Sequence, residues 1–363
     1  MAGRRLSLRT IVFFGGATLM LVPAIVTATL YAAALQQRGE QLEAEKLTIR
    51  GDLSAGLLAR RLYGVWMDVA RLATLIDPSN PASARDEIQF MSRLDNRYSW
   101  LGITDLKGKV LAAKDGMLEG ESVAQRQWFR RGLDVTSAID VHEAQQLGNL
   151  LPASPDAYRF IEMAAPLQRG SSVAGVIGAQ LNWKWVAQGL ESLQASGIEV
   201  LLLSRDRVVL FGPPDLINKP LNIGSAHAAN RVTTSFLSER WPDGKEYFTV
   251  VVPTIRYVDL PSFGWSLLIR QNANDAMAGT RALVRSFWVI LGAGALTALA
   301  LLFLAAQWLG TPLRRLSEAA EALLHDPKSG VPYSETRFEE AARLSNALIR
   351  IQSRLMAAFH NEK

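Results

Sequence analysis

Apolar residues are distributed unevenly along this chain. No charge falls between Ile11 and Leu35, and none between Ser286 and Leu309. Each run exceeds the roughly 20 residues a helix needs to cross about 30 Å of hydrocarbon. The first follows Arg4, Arg5 and Arg9 and contains Ala32-Ala33-Ala34, as a cleavable leader would. Its apolar part, however, is much longer than the roughly 7–15 residues of such a leader, so it reads as a retained span. Arg4, Arg5 and Arg9 before the first span, with Arg314 and Arg315 after the second, place both ends in the cytoplasm by the positive-inside rule, although Arg281 and Arg285 lie at the other end of the second run. The expected layout is a cytoplasmic tail over 1–9, a membrane helix over 10–35, an outer domain over 36–285, a second membrane helix over 286–309 and a cytoplasmic end over 310–363.

Beyond the first span, Leu58, Leu62, Val65, Val69, Leu72 and Ile76 recur at alternating gaps of four and three. This stripe predicts a long amphipathic helix that begins near Gln37 and stops at Asp77-Pro78. It packs on its own domain, with a dimer contact as a second use.

Two short apolar segments, Ser99 to Thr104 and Lys109 to Ala113, flank Asp105-Leu106-Lys107-Gly108 and read as a hairpin. Arg159 to Ala165 and Val173 to Asn182 are strands joined by a turn at Gln168 to Ser171, and Trp183 to Leu193 is helical. Gly175 and Gly178 inside the second of these strands mark a close approach, by a neighbouring backbone or by a ligand. The plan then repeats: Glu199 to Leu203, a turn at Ser204 to Arg207, Val208 to Phe211, and later Glu246 to Val252 and Trp265 to Gln271. Two stacked α+β modules follow, a distal one over about 80–193 and a proximal one over about 194–275.

At the far end, Leu313, Leu316, Ala320 and Leu323 form one seam, and Ala341, Leu344, Leu348, Ile351 and Leu355 another. Asp326 to Tyr333, with Pro327, Gly330 and Pro332, cannot be helical throughout. Two helices with such narrow seams bury little alone, so a parallel dimer forming a four-helix bundle is expected.

Composition adds limits. The 363 residues are 49% apolar, enough for two or three domains with sizeable cores. The net charge of +5 is modest once the membrane-flanking arginines are set aside, and no basic run is interleaved with aromatics, so nucleic acid is not an expected partner. With no cysteine, the outer domain has neither disulfides nor thiolate chemistry.

The candidate chemistry is concentrated between Gln125 and Glu143. Arg126 carries a fork of donors suited to a carboxylate or phosphate, or to an ion pair with Asp140, Glu143 or Glu162. Trp128 and Phe129 either cover a ligand or belong to the core. His142 between Asp140 and Glu143 suggests a pH-sensing or metal role, set against a simple loop imidazole. A metal would need further ligands at recognisable spacing, and His227 falls in the other module, so neither metal nor cofactor is expected. No Gly-x-Ser-x-Gly elbow supports nucleophilic catalysis. Of Trp183 and Trp185, one is expected to face the pocket.

Asp105-x-x-Gly108, Arg126-x-Trp128-Phe129, Ala164-x-Pro166 and Gly175-Val-Ile-Gly178 together resemble the double Cache sensor domain of bacterial transmembrane receptors. Pro312, Leu316, Glu339 and the two seams resemble a HAMP relay module. The resemblance implies an α+β fold of two stacked PAS-like antiparallel-sheet modules on a long N-terminal helix. Two transmembrane helices flank them, and a HAMP helical hairpin ends the chain. It also implies the bacterial inner membrane, with the sensor in the periplasm.

Amino-acid-binding members carry a tyrosine, then Arg-x-Trp-Tyr and a later aspartate for the ligand's amino group. Here Gly120, Phe129 and Asn182 stand at those departures, so amino-acid specificity is not carried over. Asp140 to Ala144, Arg159 to Glu162 and Trp183-x-Trp185 resemble sensors joined to diguanylate cyclase or kinase modules. The expected ligand site is Arg126, Trp128, Phe129, Asp140, His142 and Asn182.

The expected protein is a homodimeric, non-enzymatic receptor for a small anionic or zwitterionic solute that signals through a separate kinase or cyclase. Only Met356 to Lys363 follow Leu355. The rival expectation is therefore the sensor part of a truncated diguanylate cyclase or histidine kinase.

Overall fold

The computed structural model describes residues 7–143, 151, 159–229, 231, 233–325 and 334–361. The chain divides into two compact units, Gly39–Ala278, and Met1–Arg38 with Gly279–Lys363. Helix α1 (Leu8–Leu75) contributes to both. The first apolar run and the amphipathic stretch that follows it are thus one helix rather than two.

Within Gly39–Ala278, every member of the Leu58 to Ile76 stripe is buried. Helix α2 (Pro81–Leu94), which the hydrophobic pattern did not announce, starts where Asn80 accepts from the Ser83 amide and Pro81 enters the first turn. A bidentate pair fixes it to the turns after the first hairpin: Arg85 Nε and Nη2 reach the Glu119 carboxylate at 3.0 and 2.7 Å. That contact holds the Glu119 carboxyl below its ordinary range.

The hairpin is β1 (Tyr98–Asp105) and β2 (Val110–Ala113), followed by the short helix α3 (Gln127–Gly132). Strands β3 (Ser137–Glu143), β4 (Arg159–Arg169) and β5 (Ser172–Asn182) complete the first sheet, and helix α4 (Trp183–Glu191) leads out of it. The second module has β6 (Ile198–Leu203), β7 (Val209–Phe211), the short helix α5 (Gly224–Ala228), β8 (Ser235–Arg240), β9 (Glu246–Val252) and β10 (Ser266–Asn272). The sheet orders are β2-β1-β5-β4-β3 and β7-β6-β10-β9-β8, with all neighbours antiparallel. Each module therefore repeats the same chain path, as the repeated pattern predicted. The two edge strands β3 and β8 had not been anticipated as strands.

Because side chains alternate across a strand, each sheet has two faces. On the first sheet Leu101, Ile103, Ile161, Met163, Ile177, Ala179 and Leu181 meet the stripe of α1. Val200, Leu202, Val250, Leu267 and Ile269 of the second sheet belong to the same core. Gly51 of α1 lies against Val250 and Val252, where a Cβ would come within 3.1 Å of each. One helix thus unites both modules through a single core, which is where most of the favourable burial of this unit resides.

The opposite face of the second sheet has its own apolar cluster around Leu201, Leu268 and Trp241. Arg270 is buried there between the rings of Trp241 and Tyr247, 4.1 and 4.2 Å from their centroids, and its Nε meets Glu199 at 2.6 Å. This supplies the pairing and ring contacts that a buried cation needs. Burial, then the hydrogen bond to Asp243, pushes the Tyr247 phenol up to about 12.

In the other unit, α7 (Ala278–His325) runs without interruption through the second apolar run and the first seam, with Pro312 inside it, and α8 (Glu339–Asn361) carries the second seam. Leu316 and Leu323 are buried, as is Ala341. Leu344 and Ile351 of the second seam are exposed in the single chain. Glu339 pairs with Arg343 on the surface. The connector 326–333 lies outside the described residues.

Candidate functional site

The predicted recognition stretch sits on the face of the first sheet that is turned away from α1. Arg126 is the half-buried residue at the N-terminal boundary of α3, so Trp128 and Phe129 fall in its first turn and point onto the sheet. Both rings are almost fully buried, at 2% and 3% exposure. They join Trp100, Val110, Val123, Phe160 and Val176 in a cluster separate from the main core. Trp100 and Trp128 have centroids 5.6 Å apart, and Trp128 meets Phe129 edge-on at 6.2 Å. The Trp100 indole donates to the Met117 carbonyl at 3.0 Å, which satisfies its buried N–H.

Two glycines allow the tryptophans to lie flat. A Cβ on Gly178 would fall 2.5 Å from the Trp128 ring, and one on Gly102 would fall 2.5 Å from the Trp100 ring. The close approach expected at Gly178 is therefore an indole of the chain itself. At Gly175 it is backbone: a Cβ would lie 1.9 Å from the Thr104 carbonyl oxygen.

Polar groups interrupt this apolar face. By alternation, Glu162 on β4 and Gln180 on β5 share it with Phe160, Ala164, Val176 and Gly178, and the two are direct cross-strand partners. Gln180 Nε2 donates to Glu162 Oε1 at 2.6 Å. Glu162 is 5% exposed, and Gln180 Oε1 is buried with no hydrogen-bond partner among the described residues. A buried amide oxygen left unsatisfied is costly, so the Gln180 Oε1 atom calls for a further partner. Sequence reasoning considered Glu162 only as an ion-pair partner and passed over Gln180. The signal that finds them is period-two alternation counted from Gly178.

The other predicted residues lie elsewhere in the module. Asn182 Oδ1 accepts from the Lys184 amide at 2.8 Å and caps α4. Asp140 accepts from the indole Nε1 of Trp265, in the second module, and from the Val141 amide at 2.6 Å. Trp265 stacks on Phe263 at 4.5 Å and meets Trp183 edge-on at 5.9 Å. Arg159 lies 5.3 Å from the Trp183 ring centroid and donates to Asn218 Oδ1 at 3.0 Å. Asp140 and Trp183 are thus part of a junction between the modules. His142 is paired through its backbone with Phe160, but its side chain lies outside what the structure describes.

Neither member of the Trp183/Trp185 pair faces the Trp128 cluster. Both pack with the α1-side core, and Trp185 is covered by Arg61 at 4.5 Å and Arg97 at 5.5 Å. The expectation that one of them faces the pocket is corrected, because Trp183 meets Trp265 at the junction between the modules and Trp185 lies under Arg61 of α1.

A cavity of about 360 Å³ adjoins the junction, between the α3–β3 turn and the second module, lined by Arg131, Asp134, Ser137 and Pro261 among others. Among the described residues no group of His, Asp and Glu is arranged to hold a metal ion.

No protein-family model matches the chain, and no curated protein matches it. Solved structures do. The ligand-binding domain of the Pseudomonas aeruginosa PAO1 amino acid chemoreceptor PctC, in complex with GABA, is 17% identical with a TM-score of 0.51, covering 63% of this chain and 100% of that one. The corresponding domain of the Pseudomonas fluorescens chemoreceptor CtaA, in complex with L-isoleucine, is 17% identical with a TM-score of 0.51, covering 68% and 97%. That of PctB from P. aeruginosa PAO1, in complex with L-Arg, is 17% identical with a TM-score of 0.50, covering 64% and 97%. The fold is therefore that of a Cache-type ligand-binding domain, as the sequence resemblance implied.

Proposed function

We propose that this chain is a two-pass membrane receptor that binds a small zwitterionic solute on the outer face of its distal module and relays occupancy to a cytoplasmic output partner. The observation that carries this reading is the Glu162–Gln180 pair, a buried carboxylate and an unsatisfied amide oxygen on the same face as Trp128. Two acceptors of this kind suit a ligand ammonium group, and Arg126 suits a carboxylate. Trp128, Phe129 and Phe160 supply the apolar wall that a small-molecule site requires. Chemoreceptors of the same fold have been solved with GABA, L-isoleucine and L-Arg. Amino-acid-like zwitterions are accordingly the first class to test, with Glu162 taking the part for which an aspartate was sought at Asn182.

The relay rests on helices. Strand β10 continues through the short helix α6 (Ala273–Ala276) into α7, which spans the second apolar run and reaches the hairpin with α8. The ligand shifts this element only by its differential affinity for two packings. Leu42, Ile49, Leu53 and Leu57 on α1, with Leu344 and Ile351 on α8, are exposed in the single chain; a second copy covers them in the homodimer, and the α7–α8 hairpins then form a HAMP-like bundle.

The test is thermal unfolding of the full chain in lipid nanodiscs against a panel of amino acids and ω-amino acids. A ligand raises Tm by mass action. Glu162→Gln is expected to weaken a zwitterion by about 10- to 100-fold, as loss of a hydrogen bond to a charged group does. A panel that shifts neither protein, or a ligand that Glu162→Gln binds as tightly, removes the assignment.

A further inference from the structure

The two membrane-capable helices enclose a cavity of about 410 Å³ whose wall changes chemistry along its length. Phe13, Phe14 and Phe303 line one part, and Ser7, Arg9, Thr10 and Gln307 the other. The change falls where both apolar runs stop: Arg9 precedes Ile11, and Thr311 follows Leu309. The cavity therefore sits at headgroup depth, not in the hydrocarbon centre.

Arg9 is held across α7 by shape. Gly310 has no side chain where Arg9 passes, and a Cβ there would fall 2.2 Å from Arg9 Cγ. Its Nη2 donates to Thr311 Oγ1 at 2.8 Å, while its Nε is buried with no hydrogen-bond partner among the described residues. Among the described residues no carboxylate pairs with Arg9, and no Asp or Glu lines the cavity. A half-buried guanidinium with an unused donor, hydroxyl and amide groups around it and aromatic rings alongside calls for an anion with an apolar extension.

We propose that this cavity binds the headgroup of an anionic phospholipid. Its phosphodiester lies on the Arg9 guanidinium, with Ser7, Thr10 and Gln307 as further donors, and its acyl chains lie along Phe13, Phe14 and Phe303. Such a lipid bridges α1 and α7 at the end where Arg9 and Thr311 already connect them, so it sets the resting arrangement of the pair.

The test uses the full chain, extracted and delipidated, then exposed to equal concentrations of dioleoylphosphatidylglycerol and dioleoylphosphatidylcholine and examined by native mass spectrometry. The wild type is expected to retain phosphatidylglycerol about fivefold over phosphatidylcholine, the effect of roughly one basic residue at an anionic headgroup. Arg9→Gln should bring that ratio close to unity. Thr10→Phe, which fills the cavity without touching the Arg9–Thr311 bond, should lower retention of both lipids. If Arg9→Gln does not fold, Thr10→Phe decides. Equal retention by the wild type overturns the proposal, as does unchanged retention by Thr10→Phe. Displacement of the lipid by millimolar inorganic phosphate overturns it in favour of a free-anion site, and loss of bound lipid on dimerisation overturns it in favour of a second copy.

Discussion

The indole N–H of Trp265 donates to the carboxylate of Asp140, joining the edge strand β3 of the first sheet to the residue that precedes β10 in the second. Phe263 and Trp183 hold that indole from two sides. In the proposed relay, this bond and the Arg159–Asn218 contact carry a state change on the outer face of the first sheet to the second module. Asp140→Ala is expected to cost about 1.5–3 kcal/mol, the range for hydrogen bonds to charged groups. Trp265→Leu should cost more, because it also removes the ring contacts. Thermal unfolding of the single and double variants measures the coupling between Asp140 and Trp265; purely additive effects would show that the bond contributes nothing.

Gly178→Ala tests the seating of Trp128. The added methyl meets the indole at 2.5 Å, so the ring must move, at about 1–3 kcal/mol for overpacking. Trp128→Leu alone leaves a void, and the combined variant should be more stable than the sum of the two losses. Chemical denaturation of the four proteins gives the answer, and additivity would mean that the two residues do not share space.

Glu119 gives a pH signature. Its hydrogen bonds to Arg85 hold the folded carboxyl below its ordinary value of 4.5. The contribution is then fully present above that ordinary value and is lost as pH falls through the lower folded one. Tm of the wild type should exceed that of Glu119→Gln at neutral pH, and the gap should close under acid. A gap that persists unchanged at pH 3 contradicts this.

What the sequence disclosed follows from the strength of each signal. The α1 stripe was legible because six apolar residues keep a helical period over nearly twenty positions, and all six are buried. The hairpin of β1 and β2 was legible from Asp105-x-x-Gly108, where Gly108 takes a positive φ of 80° and Asp105 Oδ1 accepts from the amides of Lys107 and Lys109. Strand β3 was missed because it is an edge strand with mixed polar residues and an irregular register between Ile139 and His142. Strand β8 was missed for a related reason: its residues alternate weakly and stay half-exposed at the sheet edge. Asn182 stands where amino-acid-binding members carry the late aspartate, whereas its side chain caps the start of α4. Gln180 carried no motif of its own, and only its register opposite Glu162 reveals it.

The exposed stripe on α1 predicts association. Ile49 and Leu53 are 63% and 61% exposed, and an Ile49→Asp substitution places a charge in the seam where a second α1 would lie. Sedimentation of the full chain in nanodiscs or detergent should show a dimer for the wild type and a monomer for the variant. A wild-type monomer at all concentrations removes the dimeric relay.

The most direct test of the account is calorimetric titration of the full chain in nanodiscs with γ-aminobutyrate, L-isoleucine and L-arginine, repeated with Arg126→Ala and Glu162→Gln. The wild type is expected to bind at least one zwitterion saturably, and each variant to lose about tenfold or more in affinity. Binding that survives both substitutions undiminished, or a wild type that binds no member of the class, would contradict the proposed function.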